Sequence, residues 1–143
     1  FNFCILGDIE IEIDGRPLDF ADTVTYRGVM YSGVPNMAWV FGYFRASWTL
    51  RADLISGFVT RLLNHMADKG AEMVVPTLRD EDRGMNFGPF IDPENFNPGY
   101  VTRSLHLLPK QGDKDPWRFE HDYFAEKDVL PVAELDDGVL IYR

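Results

Sequence analysis

Residues 39–49 read Trp-Val-Phe-Gly-Tyr-Phe-Arg-Ala-Ser-Trp-Thr and bring together the side chains in this sequence best suited to hold a reacting group. Gly42 permits close backbone approach, Ser47 and Thr49 carry short hydroxyls, and Tyr43 and Trp48 present flat rings that can stack on another ring. If a strand ends near Gly42 and a helix begins near Ser47, the unpaired amides of the helix start converge with those hydroxyls. Such a place suits a phosphate, a carboxylate or the electron-rich edge of a cofactor ring. Simple capping and packing use the same residue types, so the residues alone leave both readings open.

The remaining candidates point to structure. His65 falls beside the apolar stripe of a helix, while His106 and His121 have no neighbouring Cys or Asp motif. No His-x-x-x-His, Cys-x-x-Cys or Gly-x-Ser-x-Gly pattern occurs, which leaves metal and acyl-transfer chemistry unsupported. Glu10 and Glu12 read as the wet face of a strand, Asp80, Glu81 and Asp82 as a solvated loop, and Cys4 as a small core residue.

The elements that must position residues 39–49 follow from periodicity. Leu50, Leu54, Phe58, Leu62 and Met66 recur every four residues, with Ile55, Val59 and Leu63 widening the stripe, which predicts an amphipathic helix of about 20 residues. Ser47 or Thr49 is placed to cap its start, Gly70 its end, and a close approach to a sheet would explain Gly57. Before it, Val24 to Tyr31 and the wholly apolar 37–42 read as two short strands across a Gly-Pro turn, the second buried at the centre of an α/β sheet. Ile9, Ile11 and Ile13 alternate with acidic residues ahead of Asp14-Gly15, a hairpin pattern. After the helix, strands are expected within 71–78 and 139–142, a short helix over 100–108, an ordered Gly/Pro-rich loop sheltering Phe87, Phe90 and Phe96, and a solvated stretch over 110–115.

Composition sets the limits. The 143 residues carry 23 acidic against 14 basic side chains, a net charge of −9, which disfavours a nucleic-acid partner. The apolar fraction of 45% supports one core, and no run is long enough to span a membrane. One cysteine and no targeting signature agree with a cytoplasmic protein.

The runs Tyr26-Arg27-Gly28-Val29-Met30-Tyr31-Ser32-Gly33-Val34-Pro35-Asn36-Met37, then Val40-Phe41-Gly42-Tyr43-Phe44-Arg45-Ala46-Ser47-Trp48-Thr49-Leu50-Arg51-Ala52-Asp53-Leu54, then Arg61-Leu62-Leu63-Asn64-His65-Met66, closely resemble flavin-containing monooxygenases of the branch related to Baeyer-Villiger enzymes. The resemblance implies an α/β chain that is an incomplete C-terminal part of a two-dinucleotide-binding flavoprotein fold, with short strands and one long amphipathic helix. Residues 1–70 would be the C-terminal segment of the FAD-binding domain and 71–143 an extension packed against it. The start at Phe1, without an initiator Met, fits a join just beyond the Ala-Thr-Gly segment of such enzymes.

The resemblance further implies a parent enzyme using FAD, NADPH and molecular oxygen. Its flavin (hydro)peroxide would pass one oxygen atom to a small organic substrate, a ketone or a soft heteroatom such as a sulfide. On the matching positions, Gly42 and Tyr43 approach FAD, Ser47, Trp48 and Thr49 face the flavin, and Pro35 and Asn36 shape a turn near the cofactor. No Gly-x-Gly-x-x-Gly fingerprint is present, so the isolated chain is expected to bind neither cofactor and to be inactive, with self-association covering apolar surface. The alternative is a small structural or protein-interaction domain.

Overall fold

A computed structural model describes residues 5–143; the readings placed on Phe1 and Cys4 lie outside the described residues. Strands β1 (Glu12–Ile13) and β2 (Arg16–Pro17) form the expected hairpin, Glu12 opposite Pro17. Both turn residues take left-handed backbone, Asp14 at φ 51° and Gly15 at φ 76°, as a two-residue turn between right-twisted strands requires. Ile9 stays outside the pairing and is 64% exposed, so the isoleucine alternation yields a shorter strand than its pattern suggests.

The next segment folds back on itself earlier than expected. Strands β3 (Thr25–Tyr26) and β4 (Met30–Tyr31) pair antiparallel around Arg27 and Gly28, at φ 50° and 62°. Residues 37–42, expected as a central strand, form none: Ala38 makes an isolated bridge to Met30, Trp39 N–H donates to the Val29 carbonyl at 2.9 Å, and Val40 is half exposed. The apolar run is explained by aromatic packing. Trp39 and Phe41 bury their rings against each other and against Phe90, with centroids 5.1 to 5.2 Å apart.

Helix α1 (Trp48–Lys69) is the long element that the periodicity predicts. Gly70 ends it in left-handed backbone at φ 65°, donating to the Met66 and Ala67 carbonyls. Its buried face is Arg51, Ile55, Phe58, Leu62 and Met66, whereas Leu50 and Leu63 are exposed. The inward place expected of Leu50 belongs to Arg51. Gly57 meets no close neighbour, so the close approach to a sheet is absent.

Beyond Gly70, β5 (Val74–Pro76) pairs antiparallel with the chain-terminal β8 (Leu140–Tyr142), Val74 opposite Tyr142. β6 (Phe87–Pro89) pairs with β7 (Lys110–Gly112), so half of the stretch expected to be solvated is a strand with Gly112 buried. Phe90 is buried while Phe87 is 42% exposed. The helix expected over 100–108 is α2 (Gly99–Ser104) continued by a 3-10 turn over Leu105–Leu107, and the short α3 (Tyr123–Glu126) follows. The chain is thus mixed helix and strand, compatible with an α/β segment, and its named strands pair two by two and antiparallel.

Among the described residues, two apolar clusters hold these pieces. One joins the inner face of α1 to Tyr26, Val29, Val74, Trp117, Leu130 and Leu140; the other is largely aromatic, around Phe20, Tyr31, Trp39, Phe41, Phe90 and Phe119. Residues on both sides of Gly70 contribute to the first cluster. Among the described residues no helix is long and apolar enough to cross a membrane.

Candidate functional site at the start of the long helix

Ser47 occupies the N-cap of α1 but makes no side-chain bond to the helix amides, contrary to the capping expectation. Its Oγ shares a hydrogen bond with Thr49 Oγ1 at 2.7 Å. Ser47, Trp48 and Thr49 are exposed, and the first turn contains no acidic residue. The helix therefore presents two hydroxyls and the positive end of its dipole to whatever lies before it, a donor set matched to an electron-rich acceptor.

Gly42 is buried, and its open side is already filled. A Cβ there would lie 2.3 Å from Trp48 Cδ2, so the glycine admits the indole in place of the bare backbone approach expected. Tyr43 is buried too. Its hydroxyl donates to Glu126 Oε2, and burial, followed by that carboxylate, raises its pKa far above the ordinary phenol value. Its hydroxyl is committed to the protein's interior.

Pro35 and Asn36 belong elsewhere. Asn36, at φ 53°, donates from Nδ2 to the Glu72 carbonyl at 3.0 Å and accepts from Val74 N–H at 2.9 Å, while its own N–H reaches the Val74 carbonyl at 3.0 Å. Gly33 N–H adds a bond to Pro76 at 2.8 Å, so the 33–36 turn is fastened along β5. Glu72 and Val74 follow the C-terminal cap of a helix about 33 Å long at 1.5 Å per residue, and four residues of chain return only about 14 Å. The structure thus gathers Gly42, Tyr43, Ser47, Trp48 and Thr49 at one end of α1 and holds Pro35 and Asn36 well away from them.

Sequence reasoning passed over Arg51. Its side chain has no exposure and pairs with Glu126 at 2.8 Å; the same guanidinium donates to the carbonyls of Phe41 at 2.7 Å, Arg27 at 3.1 Å and Gly28 at 3.3 Å. The ring of Phe119 covers it at 3.9 Å. A usable signal existed: an arginine in phase with Ile55, Phe58 and Leu62 falls on the dry face, where a charge needs a partner.

The histidines separate by surroundings. His106 is exposed, and His65 is half-buried at the margin of the apolar stripe of α1, with Nε2 3.2 Å from Asp136 Oδ1. His121 lies among Phe41, Phe44, Phe90 and Phe119, the last 4.2 Å away, and among the described residues neither ring nitrogen has a hydrogen-bond partner. Burial, then the nearby Arg51 charge, pushes it down to about 4, the Phe90 backbone offsetting part of this. It borders a cleft of about 710 Å³ with Phe44, Arg45, Phe96 and Arg118.

Asp82 departs from the solvated-loop reading. Its carboxylate is fully buried between Arg79 and Lys114, and the Arg79 hydrogen bonds hold it well below the carboxylate range. No group of His, Cys, Asp and Glu that could hold a metal ion occurs among the described residues.

Comparison with known proteins gives the class first: the chain matches a segment of the FAD-containing monooxygenases. In particular, it is 44% identical over 136 residues to the FAD-containing monooxygenase EthA of Mycobacterium tuberculosis, a match covering 95% of this chain and 27% of that protein. It is 41% identical over 139 residues to EthA of Mycolicibacterium smegmatis, and 41% identical over 140 residues to the "Probable FAD-binding monooxygenase AlmA" of Acinetobacter baylyi, covering 97% and 95% of this chain. The chain spans 26% to 27% of the length of these curated relatives. No family model and no solved structure matches.

Proposed function

We propose that the chain forms the part of an FAD- and NADPH-dependent monooxygenase that closes one side of the flavin site with residues 42–49. The carrying observation is the 44% identity to an FAD-containing monooxygenase through 95% of the chain. The exposed, side-chain-uncapped start of α1 supports it by offering donors suited to the electron-rich edge of a flavin ring.

In this reading the Ser47 and Thr49 hydroxyls and the first-turn amides bind that edge. The helix dipole favours negative charge developing there. Trp48, seated on Gly42, forms an apolar wall that excludes water, while Tyr43 supports the turn from beneath. Pro35 and Asn36 fix the turn that runs along β5. Bound FAD, reduced by NADPH, supplies the oxygen activation, and the protein residues bind, orient and shield. The acceptor is a ketone or a soft heteroatom, and the enzyme is cytoplasmic. The isolated chain, lacking glycine-rich fingerprints, is inactive and self-associates through apolar surface such as Phe124 and Val132, 78% and 74% exposed.

The test joins this chain to the coding sequence upstream of it and measures bound flavin by absorbance and NADPH-dependent oxygen uptake. The expected result is a flavoprotein whose FAD affinity falls at least tenfold, on the order of 1.4 kcal/mol, with Gly42→Leu, because the Trp48 wall is displaced. A longer chain that folds without flavin, or unchanged FAD affinity in a folded Gly42→Leu protein, overturns the reading. Competing ketone and sulfide substrates then separate the two oxygen acceptors.

A further inference from the structure

A guanidinium with no solvent exposure is costly to bury unless its charge is matched and every N–H is used. Arg51 meets both conditions. Nε donates to Glu126 at 3.0 Å, Nη1 to the Phe41 and Gly28 carbonyls, and Nη2 to Glu126 at 2.8 Å and the Arg27 carbonyl at 3.1 Å. An apolar residue in this place would fill the stripe of α1 without the desolvation cost, so burial alone does not account for the arginine.

Its partners converge on one short turn. Arg51 holds the carbonyl of Phe41, immediately before Gly42, and Glu126 accepts from the hydroxyl of Tyr43, immediately after it. Gly42 is the residue on which the Trp48 ring rests. Glu126 lies 75 residues from Arg51 and 83 from Tyr43 in sequence, so the tie comes from a distant segment. The same segment supplies Phe119 over the guanidinium. Gly28 makes room for both, since a Cβ there would stand 2.7 Å from Phe119 Cγ and 2.9 Å from Arg51 Nη2.

We infer that residues 119–126 act as a strap that locks the Gly42–Trp48 contact, with Arg51 and Glu126 as positioning residues acting through Phe41 and Tyr43. The strap is defined by this geometry; its consequence for a cofactor rests on the function proposed above.

The experiment uses the 143-residue chain without flavin. Of its three tryptophans, Trp39 and Trp117 are buried and Trp48 is 49% exposed, so acrylamide quenching reads Trp48. Glu126→Gln and Tyr43→Phe each raise that quenching and speed hydrogen exchange at amides 42–49 roughly tenfold, the size of one lost charge-assisted hydrogen bond. The double variant Arg51→Met/Glu126→Leu replaces the ion pair by apolar volume. Its urea midpoint returns close to that of the original chain while the turn stays open to quencher and exchange. A merely structural role predicts that midpoint and turn recover together, and that result overturns the strap. Unchanged quenching and exchange in folded Tyr43→Phe overturn it as well. Failure of the longer chain to hold FAD would remove the flavin reading and leave the strap standing, whereas a longer chain that holds FAD, with quenching and exchange unchanged in folded Tyr43→Phe, would do the reverse.

Discussion

His121 shows how one side chain can carry a pH dependence that its position in sequence does not announce. Its ring is enclosed by four phenylalanines and sits near a buried cation, which holds it at about 4 against an ordinary value of 6.5. The unfolded chain therefore takes up a proton at a pH where the folded chain does not, and this contribution to stability declines as pH falls from 6.5 to about 4. A shift of this size is worth about 3 kcal/mol for a fully sheltered group and less for a ring that keeps some exposure. His121→Phe is expected to flatten that part of the profile and to raise the urea midpoint at pH 5 relative to the original chain. Equal slopes between pH 4 and 6.5 in the two proteins would refute it. Nothing in the sequence marked this residue, because the cage draws on Phe41, Phe44, Phe90 and Phe119 from separated segments.

At the scale of elements, α1 was legible because its stripe is set by spacing within 22 residues, and its αL cap by a glycine just past the last turn. Residues 37–42 were not, since a continuous apolar run is equally consistent with a buried strand and with irregular chain threaded through an aromatic cluster. What decided between them was the placement of Phe90 and Tyr31 around Trp39. Gly57 gives the direct check on the helix. A Cβ there meets nothing within 4 Å, so Gly57→Ala should raise the urea midpoint by the equivalent of about 0.5 to 1 kcal/mol. Destabilisation would mean that this face is covered.

For the whole molecule, the order of elements in sequence conceals how they depend on one another. β8 is the last strand in sequence, yet it pairs with β5, and Val139 and Leu140 are buried in the same apolar cluster as Phe58 and Leu62 of α1. Tyr26 adds a hydrogen bond at 2.7 Å to Asp137 from 111 residues away. Removing residues 137–143 is therefore expected to abolish the cooperative thermal transition as a whole, because two large apolar side chains and the partner of β5 leave together. A deletion protein that still unfolds in one sharp step, read by near-ultraviolet circular dichroism, would show that β8 is dispensable.

The sequence by itself determined what depends on near neighbours: the long helix and its end, the Asp14-Gly15 hairpin, the terminal strand, and the cluster of Ser47, Trp48 and Thr49 at the helix start. It also carried the resemblance that the comparisons extend to 95% of the chain. Only the tertiary structure decided that Pro35 and Asn36 stand apart from that cluster, that Gly42 is filled by Trp48, and that Arg51 turns inward to meet Glu126. Each of these depends on a partner far along the chain, and periodicity has no access to which distant carboxylate, carbonyl or ring will be brought within 3 to 4 Å.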